Sequence, residues 1–310
     1  MKKFFLLSAI CVMALIFAGF TNNPNSNYQA KAFSVSPSKQ VHFSPGNLQY
    51  TQSTDTWSFA SAQYEVIGTD NVRGSMKQSG LGDVYIKGDG SAYSVYSDVT
   101  SDNPVFSTEY GGVCKSGTAL ADKVDLFGWS TNATNFGVST SKNYEDYSGS
   151  YVDWGANKIG NDAPNTWRAL TYDEWNYLRN GRPNASSLYG VAQVNGVNGL
   201  ILLPDSWSCP AGVTFKSGFP SDLDAGYYAA YQTFTAEQWS KLEESGAIFL
   251  PAAGWRLGSD VRDVQDHGFY WSATARSSSR ACYYSFFSTE DKMKIYVFYH
   301  GYSVRLVKDL

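Results

Sequence analysis

Cysteine is scarce in this chain. Cys11 lies in an apolar N-terminal run, which leaves Cys114, Cys209 and Cys282 for everything after it. An odd number in an exported chain leaves at least one thiol unpaired, so a disulfide framework is excluded, and no CxxC is present. A Cys114–Cys209 bridge and free buried thiols both remain open. Charge is also sparse, at 17% of residues against roughly a quarter in ordinary globular proteins. No basic run occurs beyond Lys2-Lys3 and the formal net charge is -4, so a nucleic-acid partner is excluded. Aromatic residues fill much of the gap, at 16%, beside 28 glycines. That composition points to a loop-rich, β-rich protein with aromatic side chains near its surface.

The one long apolar run is at the start. Lys2-Lys3 precede a stretch to Phe20 that carries no charge and is apolar but for Ser8, followed by the polar Thr21-Asn-Asn-Pro24. This is the pattern of a secretory signal. Residues 1–20 are expected to be a signal peptide or an uncleaved N-terminal anchor, residues 21–32 a flexible tether, and 33–310 one folded domain. A membrane would be met only through that first segment, if it is retained.

Alternation of apolar and polar residues begins at Phe33. Phe33-Ser-Val35, Val41-His-Phe43 and Leu48-Gln-Tyr50, with Pro45-Gly46 between the last two, predict a hairpin turning at Pro45-Gly46. Long ordered loops are expected over 68–150, which are rich in Gly, Ser, Asp and Asn with short apolar islands. Two helices follow from capping boxes. In Thr171-Tyr-Asp-Glu174 and Thr235-Ala-Glu-Gln238 the threonine hydroxyl can accept from the third helical N–H while Glu or Gln returns the bond. Trp175 with Leu178, and Trp239 with Leu242, then face the core, and Gly181 and Gly246 stop the helices. Each copy precedes a buried-type strand ending in Leu-Pro, Gly199-Leu-Ile-Leu-Leu-Pro204 and Ala247-Ile-Phe-Leu-Pro251. The expected class is α+β, with a few helices on twisted, mostly antiparallel sheet.

Trp167-Arg-Ala-Leu-Thr-Tyr-Asp-Glu-Trp175 resembles the Trp-Arg-Leu-Pro-Thr-Glu-x-Glu-Trp element of the sulfatase-modifying-factor branch of the C-type lectin fold. Phe249-Leu-Pro-Ala-Ala-Gly-Trp-Arg256, Gly268-Phe-Tyr-Trp-Ser-Ala-Thr274 and Gly301-Tyr-Ser-Val-Arg305 resemble the C-terminal signature of the Fibrobacter succinogenes major paralogous domain. That family is common in Bacteroidetes surface proteins, and Val41-His-Phe-Ser-Pro-Gly-Asn-Leu-Gln-Tyr50 is similar to members of the same group. The resemblance covers most of 33–307 and implies a C-type lectin-like fold. It further implies an exported adhesion or ligand-binding protein that needs no cofactor, with a protein or carbohydrate ligand at the cell surface.

Part of this fold group serves as the variable proteins of diversity-generating retroelements, whose C-terminal segment displays diversified residues. Carried over by position, the display set is Arg276, Ser278, Arg280, Tyr283, Ser285, Phe287, Tyr299 and His300, above a scaffold of Ala281, Tyr284 and Phe286. Glu290, Lys292, Met293 and Lys294 cannot arise from an Asn codon by changing its adenines, so they are expected to be scaffold if the segment is diversified. An oxidase of the same fold group needs paired reactive cysteines, whereas Cys282 stands alone without a base to activate it. Asp260, Asp263, Asp266 and His267 could supply calcium ligands, but lack a loop of recognised spacing and fit a solvated loop. A structural or fimbria-associated surface protein is the alternative function, and would show an unpaired sheet edge.

Overall fold

The computed structural model describes residues 28–68, 84–86, 92–94, 123–130, 136–139, 141–142, 144–147, 149–220, 228–258 and 260–310. The apolar N-terminal run, Cys11, Cys114 and most of the loops expected over 68–150 lie outside these residues. The architecture is α+β: short, mostly antiparallel strands and few helices. Among the described residues no helix is long and apolar enough to cross a membrane.

The two ends of the domain close on each other. Phe33–Ser36 and Lys39–Phe43 form a hairpin, and the C-terminal strand Leu306–Asp309 pairs with its second arm, Val307 opposite Phe43. Phe33, Val35, Val41 and Phe43 point inward at the two-residue period of a half-buried sheet. Pro45-Gly46 is not the hairpin turn expected of it. Ser44 and Leu48 on either side donate to the carbonyls of Leu306 and Val304, so both flanks run along the C-terminal segment instead of pairing with each other. Leu48–Thr51 then pairs with Thr56–Phe59 in another sheet. The tether ends earlier than expected as well. The Tyr28 hydroxyl donates to Phe43 O at 2.9 Å and Gln29 N–H donates to Glu243 O, so residues 28–32 lie against the domain.

A second sheet forms the middle of the molecule. Tyr189–Val194 and Val197–Leu202 meet at Asn195-Gly196, whose φ angles of 48° and 82° make the tight turn a right-twisted hairpin requires. The two strands that end in Leu-Pro become neighbours, Gly199 opposite Pro251 and Leu202 opposite Ile248. Only glycine fits at 199, since a Cβ there would sit 2.4 Å from Leu250 O. The outer edge of Ile248–Pro251 is closed by side chains: Gln63 accepts from Phe249 N–H, Arg305 donates to Phe249 O, and Tyr270 donates to Pro251 O.

Both capping boxes form. Thr171 Oγ1 accepts from Glu174 N–H at 3.2 Å while Glu174 accepts from Thr171 N–H at 2.9 Å, and Thr235 with Gln238 repeats the device. Trp175 and Trp239 are core residues. Gly246, at φ 90°, stops the helix Ala236–Glu244 as expected. The helix Tyr172–Asn176 does not simply stop at Gly181. Its chain continues through one widened turn, Tyr177–Gly181, closed by Arg182 N–H to Tyr177 O, which swings Arg179 inward.

The third sheet, Gly268–Ala275, Arg280–Phe286 and Asp291–Val297, packs on that helix through Trp175, whose ring stacks on Tyr284 at 5.0 Å. Urea unfolding of two variants tests this arrangement. Thr171→Ala should lower stability by about 1 kcal/mol through the lost cap, and Trp175→Ala by about 3–5 kcal/mol through the cavity left under Tyr284. Equal, negligible effects would place the helix outside the core.

Candidate functional site

Alternate residues of Arg280–Phe286 face opposite sides of the third sheet: Tyr284 lies between Tyr270 and Met293, and Tyr283 between Trp271 and Lys294. The sequence reading left one of these sides free, but neither is. The Trp175 helix covers the first, and Tyr302, whose ring lies 4.7 Å from Tyr283, covers the second. Three of the expected display residues are therefore buried: Tyr283 at 5% exposure, Ser285 at 1% and His300 at 7%. Arg276, Ser278 and Arg280 are exposed on the hairpin loop, and Phe287 and Tyr299 are half-buried. The expected scaffold residues Ala281, Tyr284, Phe286, Val304 and Leu306 are all buried. Lys292 is exposed, while Glu290, Met293 and Lys294 are half-buried, so none of these four is core.

On the Tyr283 side the rings join into a strip. Phe287 lies 5.2 Å from His267, His267 5.7 Å from Phe269, and Phe269 stacks on Tyr302 at 5.1 Å. Tyr302 leads to His300, which stacks flat on Trp255 at 4.7 Å and meets Tyr296 at 4.5 Å and Tyr299 at 5.4 Å. Phe287, His267, Phe269, Trp255 and Tyr299 are half-buried and Tyr296 is exposed, so the strip presents ring area while its inner members stay in the core. Ser279 accepts from Phe298 N–H, which brings the loop bearing Arg276, Ser278 and Arg280 to the Tyr299 end.

Charged groups fix the rings in place. Trp255 Nε1 donates to Asp263 Oδ2 at 2.6 Å, and the Arg262 guanidinium lies 5.7 Å over the same indole. Asp266 pairs with His267 Nδ1 at 3.0 Å, and Asp260 lies 3.8 Å from Lys142. The acidic loop considered for calcium thus frames the strip, each carboxylate having a partner other than a metal. Among the described residues no group of three or more His, Cys, Asp or Glu is gathered to hold an ion. Burial holds the His300 pKa down to about 4, so at neutral pH His300 is an uncharged ring among rings. For His267, burial opposes charging, but the Asp266 hydrogen bond and the charges of Asp266 and Asp263 prevail, and its pKa is raised.

On the other side of the sheet a cleft of about 280 Å³ is lined by Tyr172, Asn176, Arg179, Asn180, Asp291 and Met293 among others. Arg179 grips Asp291 with two nitrogens, and Tyr284 donates to the same carboxylate at 2.6 Å. Guanidinium, carboxylate and phenol are thus tied to one another at the wall of this cleft. Cys282 is buried in its strand, and burial pushes its thiol pKa up, away from the reactive thiolate. Cys209 is free and exposed.

Trp255, His267, Phe269, Tyr296 and Tyr302 were not singled out from the sequence as contact residues. The signal for Phe269 was available, since it lies two residues from Trp271 and shares its face.

The depressed pKa of His300 predicts an acid-sensitive fold. The unfolded chain, with an ordinary histidine pKa of 6.5, takes up this proton before the folded one does, so stability falls as the pH drops from 6.5 towards 4. His267 works in the opposite sense: its stabilisation is complete below its unfolded pKa and is lost as the pH rises through its folded one. The difference in urea midpoint between parent and His300→Phe isolates His300. It should change between pH 6.5 and 4 in favour of the variant, and parallel profiles would refute the buried neutral ring.

Comparison of the chain with protein-family models, with curated proteins and with solved structures finds no match.

Proposed function

We propose that the protein is an exported, non-enzymatic ligand-binding or adhesion protein of C-type lectin-like fold. Its recognition surface is the aromatic strip from Phe287 to Tyr299, extended by Arg276, Ser278 and Arg280. The observation that carries this reading is the strip itself: rings in unbroken contact, half-buried or exposed along its outer side, and held by hydrogen bonds such as Trp255 to Asp263. Rings fixed before contact lose little entropy on binding, and their faces stack on apolar ligand surfaces. A protein or carbohydrate ligand at the cell surface fits that chemistry. The N-terminal run and the ordered series of motifs in the sequence support export and the lectin-like fold. The burial of Tyr283, Ser285 and His300 favours a fixed surface over a diversified one, because a varied core position would disturb packing.

One observation favours the alternative of a structural or fimbria-associated protein: the outer edge of Asp291–Val297 is unpaired among the described residues.

Binding to glycan and surface-protein arrays tests the reading. Phe287→Ala with Tyr299→Ala should weaken the parent's best signal at least about tenfold, as loss of stacking anchors does. Stability should stay within about 1–2 kcal/mol of the parent. Tyr283→Ala, the buried control, should instead cost about 3–5 kcal/mol of stability. Unchanged array signals in the double variant would remove the strip as the recognition face.

A further inference from the structure

The strand Asp291–Val297 ends its sheet. It pairs with Arg280–Phe286 on one side, and no described residue bonds to its backbone on the other. Comparable borders are closed: side chains cap Ile248–Pro251, while Ser303 and Leu170 line the free side of Gly268–Ala275. An open edge of this length is a template for another strand. Two of the large apolar side chains exposed among the described residues sit on it, Ile295 at 43% and Tyr296 at 45%.

We infer that this edge pairs with the same edge of a second copy of the chain, antiparallel, about a twofold axis at Ile295. A strand paired with itself across such an axis sets residues of one face against residues of that same face, so the axis must fall on a residue. An axis at Lys294 opposes that lysine to itself, and an axis at Met293 opposes Lys292 to Lys294. Both place like charges directly across from each other, which destabilises a ladder. An axis at Tyr296 leaves only residues 295–297 in register. The axis at Ile295 sets Ile295 against Ile295, Met293 against Val297 and Lys294 against Tyr296. An apolar stripe then runs on across the join, and each ammonium meets the face of a tyrosine ring. Lysines commonly keep edge strands from promiscuous pairing; here they select one register. Such a contact is isologous and uses up the open edge, so assembly stops at two copies.

Cross-linking of the full chain, in the mild detergent its apolar N-terminal run requires, tests the axis. Ile295→Cys lies against its own copy, where opposed Cα atoms are about 4.5–5.5 Å apart, within disulfide reach. Copper–phenanthroline oxidation should then give a covalent dimer on a non-reducing gel. Glu237→Cys, exposed on the helix Ala236–Glu244, should give no more dimer than the native cysteines do. Ile295→Lys puts like charges on the axis and should turn the sedimenting dimer into monomer while the near-UV circular dichroism of the folded chain stays unchanged. Equal cross-linking by Ile295→Cys and Glu237→Cys, or a persistent Ile295→Lys dimer, would overturn the inference. Neither readout involves a ligand, so the result is independent of the strip's function.

Discussion

Two buried arginines hold together what the strands alone do not. Arg256 is fully buried and has no carboxylate partner among the described residues; its guanidinium donates to the carbonyls of Leu126, Ser139, Gly137 and Gly258 at 3.0–3.3 Å. Those carbonyls lie outside regular ladders, and two of them accept elsewhere as well, Gly137 O from Gly128 N–H and Ser139 O from the Tyr147 hydroxyl, so one side chain ties several loops together. Burial lowers its pKa, and the same burial makes each of its hydrogen bonds expensive to break. Arg305 does the equivalent for the central sheet. Its Nη2 donates to Gln63 Oε1 at 2.5 Å, and Gln63 in turn donates to Glu243 and Ala247 O and accepts from Phe249 N–H. The aromatic strip depends on the first of these. Because Arg256 points inward, its neighbour Trp255 must point outward by the strand's two-residue period. The pairing of Leu257 with His300 sets the indole beside the imidazole. Gly301 allows the approach, since a Cβ there would lie 2.8 Å from Arg256 Cβ.

Local signals in the sequence survived folding because local geometry settles them. A capping box closes over three residues, so Thr171 with Glu174 and Thr235 with Gln238 needed no knowledge of the rest of the chain. The Leu-Pro strands were legible as buried for the same reason: every residue of Ile248–Pro251 is apolar. Pro45-Gly46 shows where this runs out. Turn chemistry fixes a bend but not the partner of the strands it joins. Here both flanks found the C-terminal segment 304–306, whose register is set by contacts remote in sequence. The tether was misjudged at Tyr28 in a similar way, because nothing local reports a hydroxyl that reaches Phe43 O.

The display face was misread for a physical reason that the sequence also contains. A period of two implies a free side only when the sheet is covered on one face. Residues 281–289 carry no charge at all, which is the composition of a strand covered on both sides, whereas Asp291-Lys-Met-Lys294 alternates charge as an edge does. Read by charge rather than by aromatic content, the exposed strand is the one between Phe287 and Tyr299, Asp291–Val297, which holds none of the expected display residues. Arg276, Ser278 and Arg280 are exposed because a Ser/Arg run between two strands turns outward whichever face is buried.

Edge and strip lie on the same sheet, and that links the two readings. Joining two copies at Asp291–Val297 would extend each three-stranded sheet into one of six strands, with both strips on a common side by the twofold symmetry. A ligand that repeats along a cell surface would then meet two strips at fixed spacing. The second contact forms at an effective concentration set by geometry, and avidity rises without any new residue. A modest single-site affinity would suffice for adhesion under that arrangement. It would also account for an open, apolar-tipped edge on a protein that closes the border of Ile248–Pro251 with arginine, glutamine and tyrosine side chains and that of Gly268–Ala275 with the backbone of Ser303 and Leu170.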